Sequence, residues 1–439
     1  MDDPASALQA AIEDGTAMIG IIGLGYVGLP LIDAFAIAGF HTMGFDIDQK
    51  KVDRLLAGES YIGHISASRI AELTGSGQLI PTTDMARLAE ADVIIICVPT
   101  PLSESRDPDL TYVEATATTI AEYLRPGQLV VLESTTYPGT TEEVLAPRMA
   151  ASGLELGKDY YLAFSPERID PGNPTFRLEN TPKVLGGMTP ECTRVAAALY
   201  GAIVDEVHEM SSPAAAELVK LLENTFRSVN IGLANEMALM CDRMGIDTWE
   251  VIRAASTKPF GFMPFFPGPG LGGHCIPVDP LYLTWKARTL DYRARLVETA
   301  AEINAGMPEY VVEKVAGALN EHEKSVRGSR ILMIGVAYKR DIDDTRESPA
   351  IDVMRLLQDR GARVEYADPW VPRLTSAQGV VADQESVEGL PAVCSEYDCV
   401  VVGTDHSSID WPGVIEAAQL VVDTRNVADG LTAPNVVRI

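Results

Sequence analysis

Residues 19–48 read IGIIGLGYVGLPLIDAFAIAGFHTMGFDID, and this stretch decides the fold. The apolar run Ile19 to Ile22 predicts a buried strand. Leu29 to Ala38 predicts an apolar helix that Gly39 ends, and His41 to Phe45 predicts a second strand that delivers Asp46. Between the first strand and the helix, Gly23, Gly25 and Gly28 fit G-x-G-x-x-G. In this strand–helix–strand setting the pattern is a dinucleotide fingerprint. Gly23 makes the tight turn, Gly25 lets the backbone reach a pyrophosphate, and Gly28 lets helix and strand pack closely. The helix N-terminus presents N–H groups and a positive dipole end to phosphates. Asp46 would accept hydrogen bonds from ribose hydroxyls, and its charge would repel a 2′-phosphate, which favours NAD over NADP. A Rossmann-like fold for another nucleotide is the alternative.

Working outward, Ala91 to Val98, Leu129 to Leu132 and Tyr160 to Phe164 read as further strands. They lead into Thr100, Thr135 and the run Ser165-Pro166-Glu167-Arg168. Strands alternating with helices predict a parallel sheet covered on both faces. Ligands of such sheets lie beyond the strand carboxyl ends, where Thr100, Thr135 and Glu167 sit. From Ser211 to Gly245 a long helix is expected, with Leu218, Leu222, Phe226, Val229, Leu233 and Met237 at helical spacing. That stripe reads as a packing spine, with a part in a subunit interface also open. Lys220 and Asn224 are four apart and share one face, although most lysines are simply solvated. Short helical patterns continue to about Asn320. After the linker Glu321 to Arg330, Ile331 to Val336 starts a second alternating unit that lacks the three-glycine fingerprint. Its loop YKRDIDDTRESPA carries Lys339, Arg340 and Arg346, suited to phosphate contact or to plain solvation. The fold class is therefore α/β. Two Rossmann-like parallel-sheet domains, 1–210 and 321–439, are joined by a central helical domain, 211–320, with one long helix.

The other informative stretch is GPGLGGHCIPVDP at 268–280. Cys275 follows two adjacent glycines and is flanked by His274 and Asp279. A rigid glycine-lined loop that holds a thiol beside a carboxylate suits covalent catalysis. An inert cysteine in a structural loop is the bland alternative.

Bulk properties narrow the classes. With 62 acidic against 35 basic residues the net charge is −27, so nucleic acid and anionic membrane are poor partners. An anionic substrate would need locally placed cations, which makes Lys220 and Lys339 informative. The six cysteines form no C-x-x-C pair, and the histidines show no metal spacing, so no metal site is expected. The first sixteen residues lack a basic n-region, no apolar run is long enough to span a bilayer, and a free thiol suits a reducing cytoplasm.

These motifs together resemble the UDP-glucose/GDP-mannose dehydrogenase superfamily, the nucleotide-sugar 6-dehydrogenases. The carrying segments are GLGYVG (23–28), SPERI (165–169), KLLEN (220–224), GPGLGGHCIPVDP (268–280) and GVAYKRDIDDTRESPA (335–350). The resemblance runs from about Met18 to the C-terminus. It implies an NAD-binding domain, a dimerising central domain, a UDP-sugar domain, and oxidation of a sugar primary alcohol to a carboxylate with two NAD. By the same resemblance Cys275 adds to the intermediate aldehyde, giving a thiohemiacetal and then a thioester that water hydrolyses. Lys220 would tune the thiol and, with Asn224, stabilise the developing oxyanion. Asp279 with Thr135 would orient the water, and Glu167 is a second carboxylate candidate. Gly23, Gly25, Tyr26, Val27, Gly28, Asp46, Thr100 and Thr135 would hold NAD, with Arg346 also reaching its phosphates. Glu167, Arg168, Lys220, Asn224, Phe266, Gly272 and Lys339 would contact the UDP-sugar.

Members acting on UDP-glucose typically carry Ser-Cys-Phe-Pro-Lys-Asp at the cysteine. Here the stretch is His274-Cys275-Ile276-Pro277-Val278-Asp279, which with SPERIDPGN and Trp285 resembles the UDP-N-acetylhexosamine branch. UDP-N-acetylglucosamine is the expected substrate and UDP-N-acetylmannosamine the next, with UDP-glucose and UDP-N-acetylgalactosamine open. A two-electron hydroxyacid-type dehydrogenase, or a non-catalytic nucleotide-sugar sensor, are the readings from other classes. Cys275 in its glycine loop and the whole second lobe argue against the first, and a competent residue at every candidate catalytic position argues against the second.

Overall fold

The structure, a computed structural model, describes residues 4–439 except 64, 104, 169–174, 274, 377–378, 380–381 and 432. His274 and the run Ile169 to Asn173 therefore lie outside the described residues. The chain divides into two compact units, Met1–Glu223 with Leu281–Asp291, and Asn224–Pro280 with Tyr292–Ile439.

The first unit is built on strands β1 (Met18–Ile22), β2 (His41–Phe45), β3 (Leu79–Thr82), β4 (Val93–Ile96), β5 (Gln128–Leu132), β6 (Tyr160–Phe164), β7 (Lys183–Gly187) and β8 (Val207–Glu209). They form one sheet in the order β3-β2-β1-β4-β5-β6-β7-β8. Every residue of β4, β5 and β6 is buried. Such unbroken burial is the mark of a parallel sheet covered on both faces, and it explains the continuous apolar runs. One pairing departs from the all-parallel expectation. β6 and β7 are antiparallel, with Ala163 opposite Gly187 and Phe164 opposite Gly186. A parallel return needs a crossover, usually helical; the described residues between β6 and β7 form no helix, and the chain doubles back. The start of β7 thus lies at the carboxyl ends of the parallel strands.

The second unit carries β9 (Arg330–Ile334), β10 (Arg363–Ala367), the short antiparallel ribbon β11 (Arg373–Leu374) and β12 (Gln384–Glu385), then β13 (Cys399–Val402), β14 (Val421–Asp423) and β15 (Val436–Arg438). Its main sheet is parallel throughout, in the order β10-β9-β13-β14-β15. The internal repeat is visible in hydrogen bonds. Gly23 N–H donates to the Phe45 carbonyl at 2.8 Å, and Gly335 N–H to the Ala367 carbonyl at 2.9 Å. A Cβ at either glycine would stand 2.3 Å from a carbonyl oxygen, that of Cys97 or that of Thr404. The second lobe has lost the three-glycine pattern but keeps its first, structural member.

The helix Pro213–Met244 is confirmed, but its apolar stripe faces the other way from the expected spine. Leu218, Leu222, Phe226 and Leu233 are all exposed, while Glu217, Lys220, Asn224, Ser228 and Asn235 are buried. Helical periodicity announces two faces without saying which one the chain covers. Here the covered face is mostly small or polar, with Leu221 the large apolar exception, and at Gly232 a Cβ would stand 3.1 Å from Ala300 Cβ. The short patterns expected up to Asn320 include two short helices, Thr248–Ser256 and Asp279–Thr289, but the last is one long helix, Arg295–Glu321, that runs through Pro308. An interior proline costs about 3 kcal/mol. Burial of Met307, Val311, Val312, Val315 and Leu319 offsets it, at about 1.5–3 kcal/mol for each large side chain. Among the described residues no helix is long and apolar enough to cross a membrane.

Candidate active site

In the first unit the three fingerprint glycines separate by what surrounds them. A Cβ at Gly28 would lie 2.0 Å from the Gly23 carbonyl oxygen, and Gly23 has φ +99°. The protein itself requires glycine at both. A Cβ at Gly25 would meet nothing within 4 Å, so no protein atom demands glycine there. An open cradle before the helix Gly28–Ile37 fits a dinucleotide pyrophosphate. Tyr26 is exposed in this loop and Val27 directly precedes the helix. Asp46 is buried, and its carboxylate accepts from Leu24 N–H and Asp48 N–H, each at 3.0 Å. Lys51 Nζ lies 3.0 Å from the same carboxylate, a cation that the fingerprint does not announce.

Beyond the strand ends, Thr100 is buried, and its carbonyl accepts from the Tyr282 hydroxyl at 2.9 Å. Thr135 is half-buried after β5. Its neighbour Ser134 donates to the Val98 carbonyl at 2.8 Å and so ties two of these ends together. Glu167 is half-buried, and its backbone carbonyl accepts from Lys220 Nζ. Lys220 is thus held beside the Ser165–Arg168 segment, not solvated. Arg168 is engaged by the protein, pairing with Glu223 at 2.6 Å and donating to the Pro182 carbonyl at 2.5 Å.

The second unit holds the cysteine loop. The Cys275 carbonyl accepts from Val278 N–H at 3.1 Å and Asp279 N–H at 2.8 Å, so thiol and carboxylate share one turn. Asn224 Nδ2 donates to Asp279 Oδ2 at 2.5 Å, with both side chains buried. The sequence put these two in one reaction without placing them in contact. Of the six cysteines, all unbridged, only Cys97 and Cys275 are partly exposed. Burial, and then the Glu133 carboxylate, push the Cys97 thiol well above the ordinary value. Cys275 is left as the candidate nucleophile.

The two glycines before it are covered by protein. A Cβ at Gly272 would stand 2.6 Å from Tyr338 Cβ, and one at Gly273 2.8 Å from the Tyr338 ring. Gly273 N–H also donates to the Arg346 carbonyl at 3.0 Å. Close approach is therefore made by the loop of the second lobe, where the sequence suggested a ligand. Lys339 is half-buried in that loop, and Arg346 pairs with Asp344 at 2.6 Å. Phe266 stacks on Trp249 with ring centroids 5.8 Å apart. Sequence reading missed Arg425, whose guanidinium faces Gly268: a Cβ there would be 2.8 Å from Nη1. Burial pulls that guanidinium below its usual value, and its Nε donates to the Gly403 carbonyl at 2.9 Å. Among the described residues no group of His, Cys, Asp and Glu is arranged to hold a metal ion.

The first unit carries a cradle that fits a dinucleotide, and the second carries a thiol in one turn with a carboxylate, which leaves a covalent step open to it. Three domain models of the UDP-glucose/GDP-mannose dehydrogenase family match: the NAD-binding domain over residues 17–204, the central domain over 214–306 and the UDP-binding domain over 332–430. The chain is 38% identical to a UDP-N-acetyl-D-glucosamine 6-dehydrogenase of Pseudomonas aeruginosa, over 89% of this chain and 90% of that one. It is 36% identical to a UDP-N-acetyl-D-mannosamine dehydrogenase of Salmonella typhimurium, over 93% and 98%. A solved UDP-D-ManNAc dehydrogenase of Pyrococcus horikoshii superposes with a TM-score of 0.86 at 33% identity, covering 96% of this chain and 98% of that one. The chain belongs to the UDP-glucose/GDP-mannose dehydrogenase family and is an NAD-dependent nucleotide-sugar dehydrogenase.

Proposed function

We propose that the chain oxidises the carbon-six alcohol of UDP-N-acetyl-D-glucosamine to the uronic acid, a four-electron reaction that proceeds through a thioester on Cys275 and supplies polysaccharide biosynthesis. The observation that carries this reading is the single turn from Cys275 to Asp279, with Asn224 donating to the carboxylate. A two-electron dehydrogenase needs no thiol there. NAD, when bound, would supply a two-electron hydride acceptor for each of the two oxidations. Gly23, Gly25, Tyr26, Val27, Gly28, Asp46, Thr100 and Thr135 hold the cofactor. Lys220 stabilises the alkoxide at carbon six, and Asn224 donates to the same oxygen. Cys275 adds to the aldehyde and retains it between the two oxidations. Asp279 or Glu167 draws the proton from the water that hydrolyses the thioester. Phe266, Gly272 and Lys339 take the UDP-sugar, with Arg168 keeping its segment in shape.

The residues around Cys275 and the Pseudomonas aeruginosa relative favour the glucosamine epimer. The Salmonella typhimurium and Pyrococcus horikoshii relatives keep UDP-N-acetyl-D-mannosamine as the second reading. Initial rates of NADH formation on UDP-N-acetylglucosamine, UDP-N-acetylmannosamine, UDP-N-acetylgalactosamine and UDP-glucose decide between them. UDP-N-acetylglucosamine is expected to give the highest kcat/KM, and a higher value on any other sugar overturns the assignment. The exposed stripe of Leu218, Leu222, Phe226 and Leu233 supports a homodimer through the helix Pro213–Met244. Light scattering should give twice the 47.3 kDa chain mass, and Leu222→Glu with Phe226→Glu should give monomer.

A further inference from the structure

A buried ion pair lies behind the Ser165–Arg168 segment. Glu133 follows β5 and Lys183 opens β7. Lys183 Nζ lies 3.0 Å from Glu133 Oε1, with side chains 3% and 0% exposed. The Tyr200 hydroxyl donates to the same oxygen at 2.5 Å, and its ring centroid lies 4.9 Å from the ammonium. Such a pair seldom adds net stability, because desolvation cancels the attraction. Here Glu133 Oε2 also lacks a hydrogen-bond partner among the described residues. A buried pair left partly unsatisfied calls for a role beyond stability.

Its location points to one. Ser165 Oγ donates to the Val184 carbonyl at 2.8 Å, and Arg168 Nη1 to the Pro182 carbonyl at 2.5 Å. These two bonds bracket Lys183. They carry the Ser165–Arg168 segment on alongside Pro182 to Val184, beyond the last ladder pair, Phe164 with Gly186. We propose that Lys183 and Glu133 are positioning residues: Lys183 draws on the Glu167 carboxylate, and Glu133 holds that attraction in check. The proposal rests on the reading of Glu167 as a carboxylate of the reaction.

Burial acts to lower the Lys183 ammonium, but Glu133 and Glu167 outweigh it and hold it above the ordinary lysine value. Burial pushes the Glu133 carboxyl up, against the pull of Lys183. Lys220 binds the Glu167 carbonyl, Arg168 is neutralised by Glu223, and the Cys97 and Tyr200 protons are held by burial and by Glu133.

The test is a titration of the full chain with ¹³C-labelled glutamate carboxyls, the Glu167 signal being assigned by its loss in Glu167→Gln. In Lys183→Met the Glu167 midpoint should rise, and in Glu133→Gln it should fall. The double variant should return toward wild type. Tyr200→Phe, which keeps the volume and removes the hydroxyl from Glu133, should move the midpoint down by less, and it serves if a charge variant does not fold. Midpoints unmoved in every variant, with Tm lost in the single variants and regained in the double, would show a structural pair and overturn the proposal. The titration needs no substrate. Absence of turnover by the wild type on every UDP-sugar would refute the reading of the reaction, separately from the role of the pair.

Discussion

Replacing Gly23, Gly25 and Gly28 by alanine, one at a time, separates what the protein requires of the loop from what NAD requires. At Gly28 the new Cβ would lie 2.0 Å from the Gly23 carbonyl oxygen, and at Gly23 it would lie 2.3 Å from the Cys97 carbonyl oxygen. Both obstacles are backbone, which cannot swing aside. Overpacking of this kind costs about 1–3 kcal/mol. Gly23 also has φ +99°, and a left-handed conformation adds about 1–2 kcal/mol for alanine. Gly23→Ala should therefore lose about 3 kcal/mol, and Gly28→Ala about 2 kcal/mol. For a unit of this size each kcal/mol lowers Tm by about 2–4 °C, so Gly23→Ala should melt roughly 6–12 °C early. Gly25→Ala meets no protein atom within 4 Å and should change stability by no more than about 0.5 kcal/mol. Its methyl would instead occupy the space of the pyrophosphate. We expect the Kd for NAD to rise at least about tenfold, or 1.4 kcal/mol. Calorimetric melting without cofactor and NAD titration of each variant read the two effects apart. A Gly25→Ala protein that melts as early as Gly23→Ala, or that binds NAD like the wild type, would refute this division.

Cys275→Ser should lower net turnover by about a thousandfold, roughly 4 kcal/mol of barrier, while NAD and UDP-sugar binding persist; near-normal acid formation would exclude a covalent step. Lys220→Ala should mainly lower kcat and Lys339→Ala should mainly raise the UDP-sugar KM, since loss of transition-state contacts and of uniform binding divide in this way. The reverse pattern in steady-state kinetics would move the substrate elsewhere. Asp46→Asn should narrow the preference for NAD over NADP in kcat/KM, and Lys51→Ala should widen it by removing the cation 3.0 Å from that carboxylate. A wild type that already prefers NADP would contradict the reading of Asp46.

The fingerprint was legible because each of its residues answers a local demand: a turn, a packing contact, a strand end. The same holds for the second lobe, where Gly335 repeats the Gly23 turn with its own hydrogen bond to Ala367. The contact between Asn224 and Asp279 was not legible, since 55 residues of chain separate them. Periodicity located the helix Pro213–Met244 but misread its orientation, because Leu222 and Phe226 carry no sign of whether a partner or the chain itself covers them. Adjacent glycines at 272 and 273 do signal close approach, yet the neighbour is Tyr338. Lys183 and Glu133 look like surface charges in the sequence. Only the antiparallel turn into β7 brings them together inside the sheet edge.

The central claim is a four-electron oxidation at one carbon. The most direct measurement is the stoichiometry of NADH formed per UDP-N-acetylglucosamine consumed to completion, with the product resolved by mass. Two NADH and one uronic acid are expected per sugar. One NADH per sugar, with an aldehyde as the end product, would contradict it.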